Sequence, residues 1–168
     1  MFYRVDTSKD GYVERSDWEH QGQRVAELQG MKRGTAEYDR IISTYGALWD
    51  TYFRLADTDG DGKVSLDEYL AGVEQFIALQ GYSEDGLDKN RAMFDAVDLD
   101  GDGVISIKEY VIVLKAQGCS DEDSRLAFSK LDLDGDGRIS REEYARAIYD
   151  YHVSNDPNAP GNWFYGSF

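Results

Sequence analysis

The sequence is poor in cysteine, proline, histidine and methionine, with one, two, two and three of each in 168 residues. The single cysteine, Cys119, excludes an intramolecular disulfide. No apolar run approaches the ~20 residues that a membrane-spanning helix requires. The first residues also lack the apolar core of a signal peptide. We therefore expect a cytoplasmic protein, because a lone thiol suits a reducing compartment.

Basic residues are also scarce, with 18 Lys and Arg against 33 Asp and Glu and a formal net charge of −15. Nucleic acids and anionic membranes are polyanions, so this balance excludes them as partners. The acidic residues are not scattered over a solvated surface but lie in short clusters with glycine between them. This pattern indicates that the partners are cations.

Sequence motifs of catalysis are absent as well. The chain contains no phosphate-binding glycine loop with lysine, no zinc-ligand spacing and no nucleophile motif. Cys119 lies between a glycine and a serine in an acidic connection, where formation of a thiolate is disfavoured. The sequence therefore predicts a protein that is not an enzyme.

The acidic clusters form four copies of one repeat. The three complete copies begin at Asp57, Asp98 and Asp132, and a weaker copy begins at Asp6. A phenylalanine precedes every copy, a β-branched residue occupies its eighth position, and an aromatic residue follows its twelfth. These framework residues are Phe2, Phe53, Phe94 and Phe128, then Val13, Val64, Ile105 and Ile139, and finally Trp18, Tyr69, Tyr110 and Tyr144. Because the weaker copy keeps all three positions, we interpret it as a true repeat.

Each complete copy carries the donors that Ca²⁺ requires. A twelve-residue loop supplies oxygens from positions 1, 3, 5, 7, 9 and 12, with glycine at position 6 for the turn. Position 7 binds through its main-chain carbonyl, so the side chain of Lys63 is expected not to matter, and the serine at position 9 is expected to hold a water ligand. The predicted ligands are Asp57, Asp59, Asp61, Lys63 and Glu68; Asp98, Asp100, Asp102, Val104 and Glu109; and Asp132, Asp134, Asp136, Arg138 and Glu143.

The first loop differs at its last position. Its predicted ligands are Asp6, Ser8, Asp10, Tyr12 and Asp17. Aspartate at position 12 is one methylene shorter than glutamate, so it must draw the loop inward or bind through one oxygen or a water. A smaller site shifts preference toward Mg²⁺. The sequence leaves open a Ca²⁺/Mg²⁺ site or a purely structural loop, and the oxygens at every other ligand position favour metal binding. We therefore expect three to four Ca²⁺ ions, with Mg²⁺ an alternative at the first loop.

These loops resemble those of the EF-hand superfamily, and within it the chain is similar to calerythrin and the sarcoplasmic calcium-binding proteins. The similarity rests on the long helical gap between the first two loops, on Asp17 and on the tail 156–166. It implies an all-α fold in which four helix-loop-helix hands form two pairs, with short β-bridges between paired loops, packed into one compact globule. The implied domains are 1–81 and 82–154, followed by a tail, 155–168, packed on the globule. Relatives often have a degenerate second hand, but here residues 57–68 are complete.

The resemblance implies a Ca²⁺ buffer or transporter, and the composition favours a buffer. Sensors often expose a methionine-rich groove for a partner helix, and methionine is scarce here. Four tail aromatics are predicted to cover the apolar cleft: Trp163, Phe164, Tyr165 and Phe168. We expect a monomer. The alternatives left open are a Ca²⁺ sensor with one specific protein target and a carrier of an apolar small molecule; for the carrier, the sequence offers only His20 and His152 as histidines.

Overall fold

The computed structural model describes residues 2–78 and 91–166, and most of these residues are helical. The chain divides into two compact units, Met1–Phe76 and Ile77–Phe168. The all-α prediction is confirmed. The predicted domain boundary after residue 81 lies outside the described residues, and the packing of the two pairs into one globule stays a prediction.

The first unit holds the first two loops and the helices that flank them. Its elements are α1 (Phe2–Val5), β1 (Tyr12–Glu14), α2 (Arg15–Leu28), α3 (Ala36–Leu48), a π-helix (Trp49–Phe53), β2 (Lys63–Ser65) and α4 (Leu66–Ala78). Helices α2 and α3 pack closely because Gly22 has no side chain. A Cβ there would lie 3.0 Å from Cβ of Tyr45. Thr35 begins α3 by accepting a hydrogen bond from the N–H of Tyr38, at 3.4 Å.

The segment before the second loop departs from the sequence prediction of one continuous α-helix from about Thr35 to Leu55. From Trp49 to Phe53 the backbone is a π-helix, closed by the Arg54 N–H donating to the Trp49 carbonyl at 2.9 Å. Trp49 and Phe53 are both buried. Apolar residues spaced by four fit the inner face of either helix type, so the pattern could not distinguish them.

The second unit holds the third and fourth loops. Its described elements are α5 (Arg91–Val97), β3 (Ile105–Ser106), α6 (Ile107–Ala116), α7 (Asp121–Leu131), β4 (Arg138–Ile139), α8 (Arg141–Val153) and a 3₁₀-helix (Pro160–Trp163). Ser120 begins α7 by accepting from the N–H of Asp123 at 3.0 Å. No helix in residues 2–78 or 91–166 is both long and apolar enough to cross a membrane.

Short antiparallel strands join the loops within each unit. Val13 lies opposite Val64 in the β1–β2 pair, and Ile105 lies opposite Ile139 in the β3–β4 pair. All four side chains are fully buried. The predicted β-bridges between paired loops are confirmed, and they follow from the preference of β-branched residues for extended backbone.

Aromatic residues of the two hands in each unit pack against one another. The phenylalanine before one loop contacts the aromatic residue after the partner loop. The contacting pairs, with ring-centroid distances, are Phe2–Tyr69 at 5.6 Å, Phe53–Trp18 at 5.0 Å, Phe94–Tyr144 at 5.5 Å and Phe128–Tyr110 at 5.9 Å. Each loop is therefore held at both ends by the core that it shares with its partner.

Candidate metal centre

Three loops bring carboxylates close enough to share one cation. In each group the ligand atoms lie within 4.8 Å of one another. The groups are Asp57, Asp59 and Asp61; Asp98, Asp100 and Glu109; and Asp132, Asp134 and Asp136. All are predicted ligands. Among the residues that the structure describes, the first loop does not form such a group.

The aspartate at position 1 fixes the turn of its loop. In the second loop, Asp57 accepts hydrogen bonds from the N–H groups of Gly60 and Gly62, at 2.8 and 3.0 Å. Gly62 has φ of 86°, a left-handed conformation that glycine adopts without strain. Asp98 and Asp132 make the matching bonds in the third and fourth loops. The backbone thus holds the first carboxylate in place before any cation arrives.

The aspartates at positions 3 and 5 are oriented by their own backbone. Asp59 Oδ1 accepts from the N–H of Asp61 at 3.1 Å, and Asp61 Oδ1 accepts from the N–H of Lys63 at 2.8 Å. The third and fourth loops repeat both bonds. These local bonds fix the orientation of each carboxylate within its loop.

The glutamate at position 12 spans the loop. Glu68 Oε1 accepts from the Thr58 N–H at 3.0 Å, and Oε2 accepts from the N–H and hydroxyl of Ser65 at 2.9 and 2.8 Å. These bonds, from Ser65 first and then Thr58, lower the pKa of Glu68 to about 2. The carboxylate therefore stays ionised well below neutral pH, and the same bonds hold it across the loop.

The serine at position 9 has a second role that the sequence analysis missed. Ser106 and Ser140 begin the helices that leave the third and fourth loops, accepting from the N–H of the position-12 glutamate. That glutamate accepts from the serine in return, which forms a capping box. The start of the helix and the closing carboxylate are thus fixed by the same pair. The Ser-x-x-Glu spacing is the sequence signal that could have revealed it.

In the first loop, Asp17 takes the place of the glutamate. Asp17 is buried, with 1% of its surface exposed. Its Oδ1 accepts from the N–H groups of Thr7 and Ser8 at 3.0 and 3.1 Å, and its Oδ2 accepts from the Glu14 N–H at 2.9 Å. In the third loop Glu109 bonds the same three loop positions. The shorter side chain therefore still reaches the backbone groups that the glutamate reaches.

The first loop also carries a backbone conformation that side chains disfavour. Lys9 at position 4 has φ of 61°, the one positive value outside glycine among the described residues. The other loops have Gly60, Gly101 and Gly135 at that position. A left-handed conformation costs a residue with Cβ about 1–2 kcal/mol. The first loop is thus folded at a cost that the others avoid.

The side chain of Lys63 makes a contact that the sequence analysis missed. Its Nζ lies 2.5 Å from Oε1 of Glu14, at position 9 of the first loop. It also lies over the ring of Tyr12, 5.5 Å from the centroid. The pairing of position 7 with position 9 across the strands is the signal that could have found this contact.

Comparisons with known proteins agree with this geometry. A family model for an EF-hand domain pair matches residues 87–149, and an EF-hand model matches residues 50–73. Neither range includes the first loop.

The chain is 31% identical to calerythrin of Saccharopolyspora erythraea over 80 residues, which cover 48% of this chain and 45% of calerythrin. It is 29% identical over 83 residues to the alpha-B and -A chains of the sarcoplasmic calcium-binding protein of Penaeus sp., covering 49% and 43% of the two chains. The chain thus spans a little under half the length of the curated relatives that it matches.

Solved structures resemble the chain over most of its length. The coelenterazine-binding protein from Renilla muelleri, in a calcium-loaded apo form, has a TM-score of 0.80 at 25% identity, covering 99% of this chain and 91% of its own. A calcium-binding protein of Streptomyces coelicolor has a TM-score of 0.72 at 24% identity, covering 92% and 95%. The second likeness shows a shared fold.

Proposed function

This chain is an EF-hand protein related to calerythrin and the sarcoplasmic calcium-binding proteins, and from that premise we propose that it is a calcium buffer or storage protein. The three complete loops each take up one Ca²⁺. The first loop takes up a fourth ion more weakly, either Ca²⁺ or Mg²⁺. The proposal includes a monomer in the cytoplasm without catalytic activity, in keeping with the lone Cys119 and the net charge of −15.

The donor set of the complete loops supports calcium. All of the converging side-chain donors are carboxylate oxygens, which suit a hard cation, and no soft ligand takes part. The carboxylates repel one another until a cation neutralises them, so binding is expected to stabilise each loop. Four bound Ca²⁺ ions would supply eight positive charges against the net charge of −15.

The observation that carries the buffer assignment is the position of the tail on the second unit. Phe164 and Tyr165 are only 3% and 5% exposed. The ring of Phe164 lies 5.0 Å from that of Tyr144, and the Tyr110 hydroxyl donates to the Phe164 carbonyl at 2.9 Å. The rings of Tyr165 and Tyr151 lie 5.0 Å apart. The chain therefore covers with its own residues an apolar face to which α8 contributes Tyr144 and Tyr151.

The tail backbone also packs closely on α8. A Cβ on Gly161 would lie 2.4 Å from the Ala147 carbonyl oxygen and 2.5 Å from Cβ of Asp150, so only glycine fits. A sensor opens such a face on binding Ca²⁺ and offers it to a partner helix. A face already filled by residues 159–165 favours holding the ion over transmitting a signal.

Dye binding and partner capture test the buffer against the sensor. We expect fluorescence of a dye that binds exposed apolar surface to stay unchanged when Ca²⁺ is added to the full chain. A large Ca²⁺-dependent rise, together with recovery of one stoichiometric protein partner in the presence of Ca²⁺, would establish a sensor instead.

A second candidate function, carriage of an apolar small molecule, is favoured by the likeness to the coelenterazine-binding protein. Buried Trp18 and Trp49 lie in the first unit and would report a bound ring system through their fluorescence. Saturable quenching by coelenterazine at micromolar concentration would support the carrier. Unchanged fluorescence would leave the buffer as the function.

A further inference from the structure

The Lys63 side chain joins the two loops of the first unit. Lys63 is at position 7 of the second loop and lies directly opposite Glu14, at position 9 of the first, in the β1–β2 pair. The Nζ–Oε1 distance of 2.5 Å and the contact with the Tyr12 ring place the ammonium group beside the first loop. Both charged side chains are only partly exposed, at 42% and 31%.

Carboxylates of both loops face this ammonium group. The hydrogen bond with Glu14, then the charge of Glu14, and then the charges of Asp10 and Asp61 raise the pKa of Lys63. Asp10 is at position 5 of the first loop, and Asp61 is at position 5 of the second. The ammonium group of this second-loop residue therefore lies close to side chains of the first loop.

Lys63 would affect the binding of a divalent cation at the first loop in two ways. The ammonium group repels the incoming ion. It also holds the Glu14 carboxylate, so this position-9 oxygen is occupied by an internal cation. Both effects act in the same direction and weaken binding at the first loop.

We propose that Lys63 is a specificity-determining residue that lowers the divalent-cation affinity of the first loop from its position in the second. The proposal rests on the function proposed above and assigns the cause of the weaker fourth site. In the β3–β4 pair of the second unit, Arg138 lies opposite Ser106, which has no carboxylate. Unequal affinity of the loops thus follows from one cross-strand pair as well as from Asp17.

The test needs a signal from the first loop alone. Tyr12 is at position 7 there, whereas the matching residues Lys63, Val104 and Arg138 are not aromatic. Terbium luminescence excited through Tyr12, and its displacement by Ca²⁺, would report the affinity of this loop in the full chain. The part of the emission that Tyr12→Phe removes is assigned to it.

Four substitutions, one of them also combined with Lys63→Gln, make the comparison. Lys63→Gln is expected to tighten Ca²⁺ binding at the first loop by about three- to tenfold, less at high salt. Lys63→Arg keeps the charge and should leave the affinity within about twofold of the wild-type value. Lys32→Gln removes the same charge elsewhere in the first unit and should change little. In a Glu14→Gln background the gain from Lys63→Gln should shrink.

Equal effects of Lys63→Gln and Lys32→Gln, or no gain from Lys63→Gln, would overturn the proposal. Terbium emission from the first loop that appears only in Lys63→Gln, and not in the wild-type chain, would support the proposal. Absence of this emission from both proteins would overturn it. Calorimetry on the same samples reports the other three loops. If those three loops bind Ca²⁺ while the first loop does not respond to Lys63→Gln, the inference fails and the proposed function stands. If none of the four loops binds Ca²⁺, the proposed function is refuted.

Discussion

The first and third loops occupy the same place in their units, and their framework is the same. Val13 and Ile105 are each fully buried in a β-pair. Trp18 and Tyr110 each pack against the phenylalanine before the partner loop. The two loops therefore fold by the same contacts.

Three of their differences lie on the ligand side of the loop. Asp17 stands where the third loop has Glu109, and Lys9 stands where it has Gly101. Glu14 is tied to Lys63, whereas the third loop has a serine at that position. The comparison teaches that two hands can share their core contacts and still differ on the ligand side, and we propose that these differences set the affinity of each loop.

The largest effect is expected in the tail. Phe164→Ala should lower the free energy of unfolding of the second unit by about 3–5 kcal/mol, because the ring is buried against Tyr144. Urea denaturation of the full chain measures it. Trp163→Ala, at a half-buried neighbour, should cost clearly less. Equal small losses for both variants would show that the tail is not part of the folded unit.

Removal of the carboxylate at position 12 should weaken metal binding more at the third loop than at the first. Glu109→Gln replaces one of the two carboxylate oxygens that we expect to bind the ion, and it should weaken the third site more than the roughly 10- to 100-fold that loss of a supporting residue costs. Asp17→Asn should weaken the first site less, since we propose that this site already binds more weakly. Calorimetric titration of both variants decides, and an equal loss would contradict the distinction between the loops.

Substitutions at position 4 of the first and third loops are expected to change the stability of the protein in opposite directions. Lys9→Gly should stabilise the metal-free protein by up to about 1 kcal/mol, because glycine adopts positive φ without strain. Gly101→Ala, with φ of 77°, should destabilise it by about 1–2 kcal/mol. Thermal unfolding measures both. Destabilisation by Lys9→Gly would contradict a strained first loop.

The smallest expected effect is a pH dependence of the stability of the second unit. Burial lowers the pKa of His152, whose Nδ1 lies 2.9 Å from the Ile148 carbonyl and must donate to it. The unfolded chain then binds a proton more readily than the folded chain. The stability that the neutral ring contributes is complete above a pH of about 6.5 and is lost as the pH falls below it.

Unfolding at several pH values measures this contribution. His152→Gln should flatten the decline below neutral pH, whereas His20→Gln, at an exposed position, should leave it unchanged. A decline that is identical in both variants would assign the pH dependence to other groups.

Much of the fold followed from the sequence because its signals are local. The phenylalanine before each loop and the β-branched residue within it recur in fixed register, and the structure confirms the β-bridges that they predict. The family assignment is confirmed as well. The individual ligands stay predictions, although three of the loops each bring three predicted carboxylates within 4.8 Å of one another.

The features that the sequence did not reveal have separate physical causes. The Lys63–Glu14 pair requires the strand register, which no single loop contains. The π-helix at Trp49–Phe53 keeps the same apolar spacing as an α-helix. The left-handed Lys9 follows from the geometry of the turn and contradicts the residue's own preference.

The most direct test of the central claim is calorimetric titration of the metal-free full chain with Ca²⁺ in the presence of Mg²⁺. We expect three tight sites and one weaker site, with the small heat-capacity change of a protein that exposes no new apolar surface. Three tight sites would match the loops at Asp57, Asp98 and Asp132. Two or fewer tight sites, or four of equal affinity, would contradict the account.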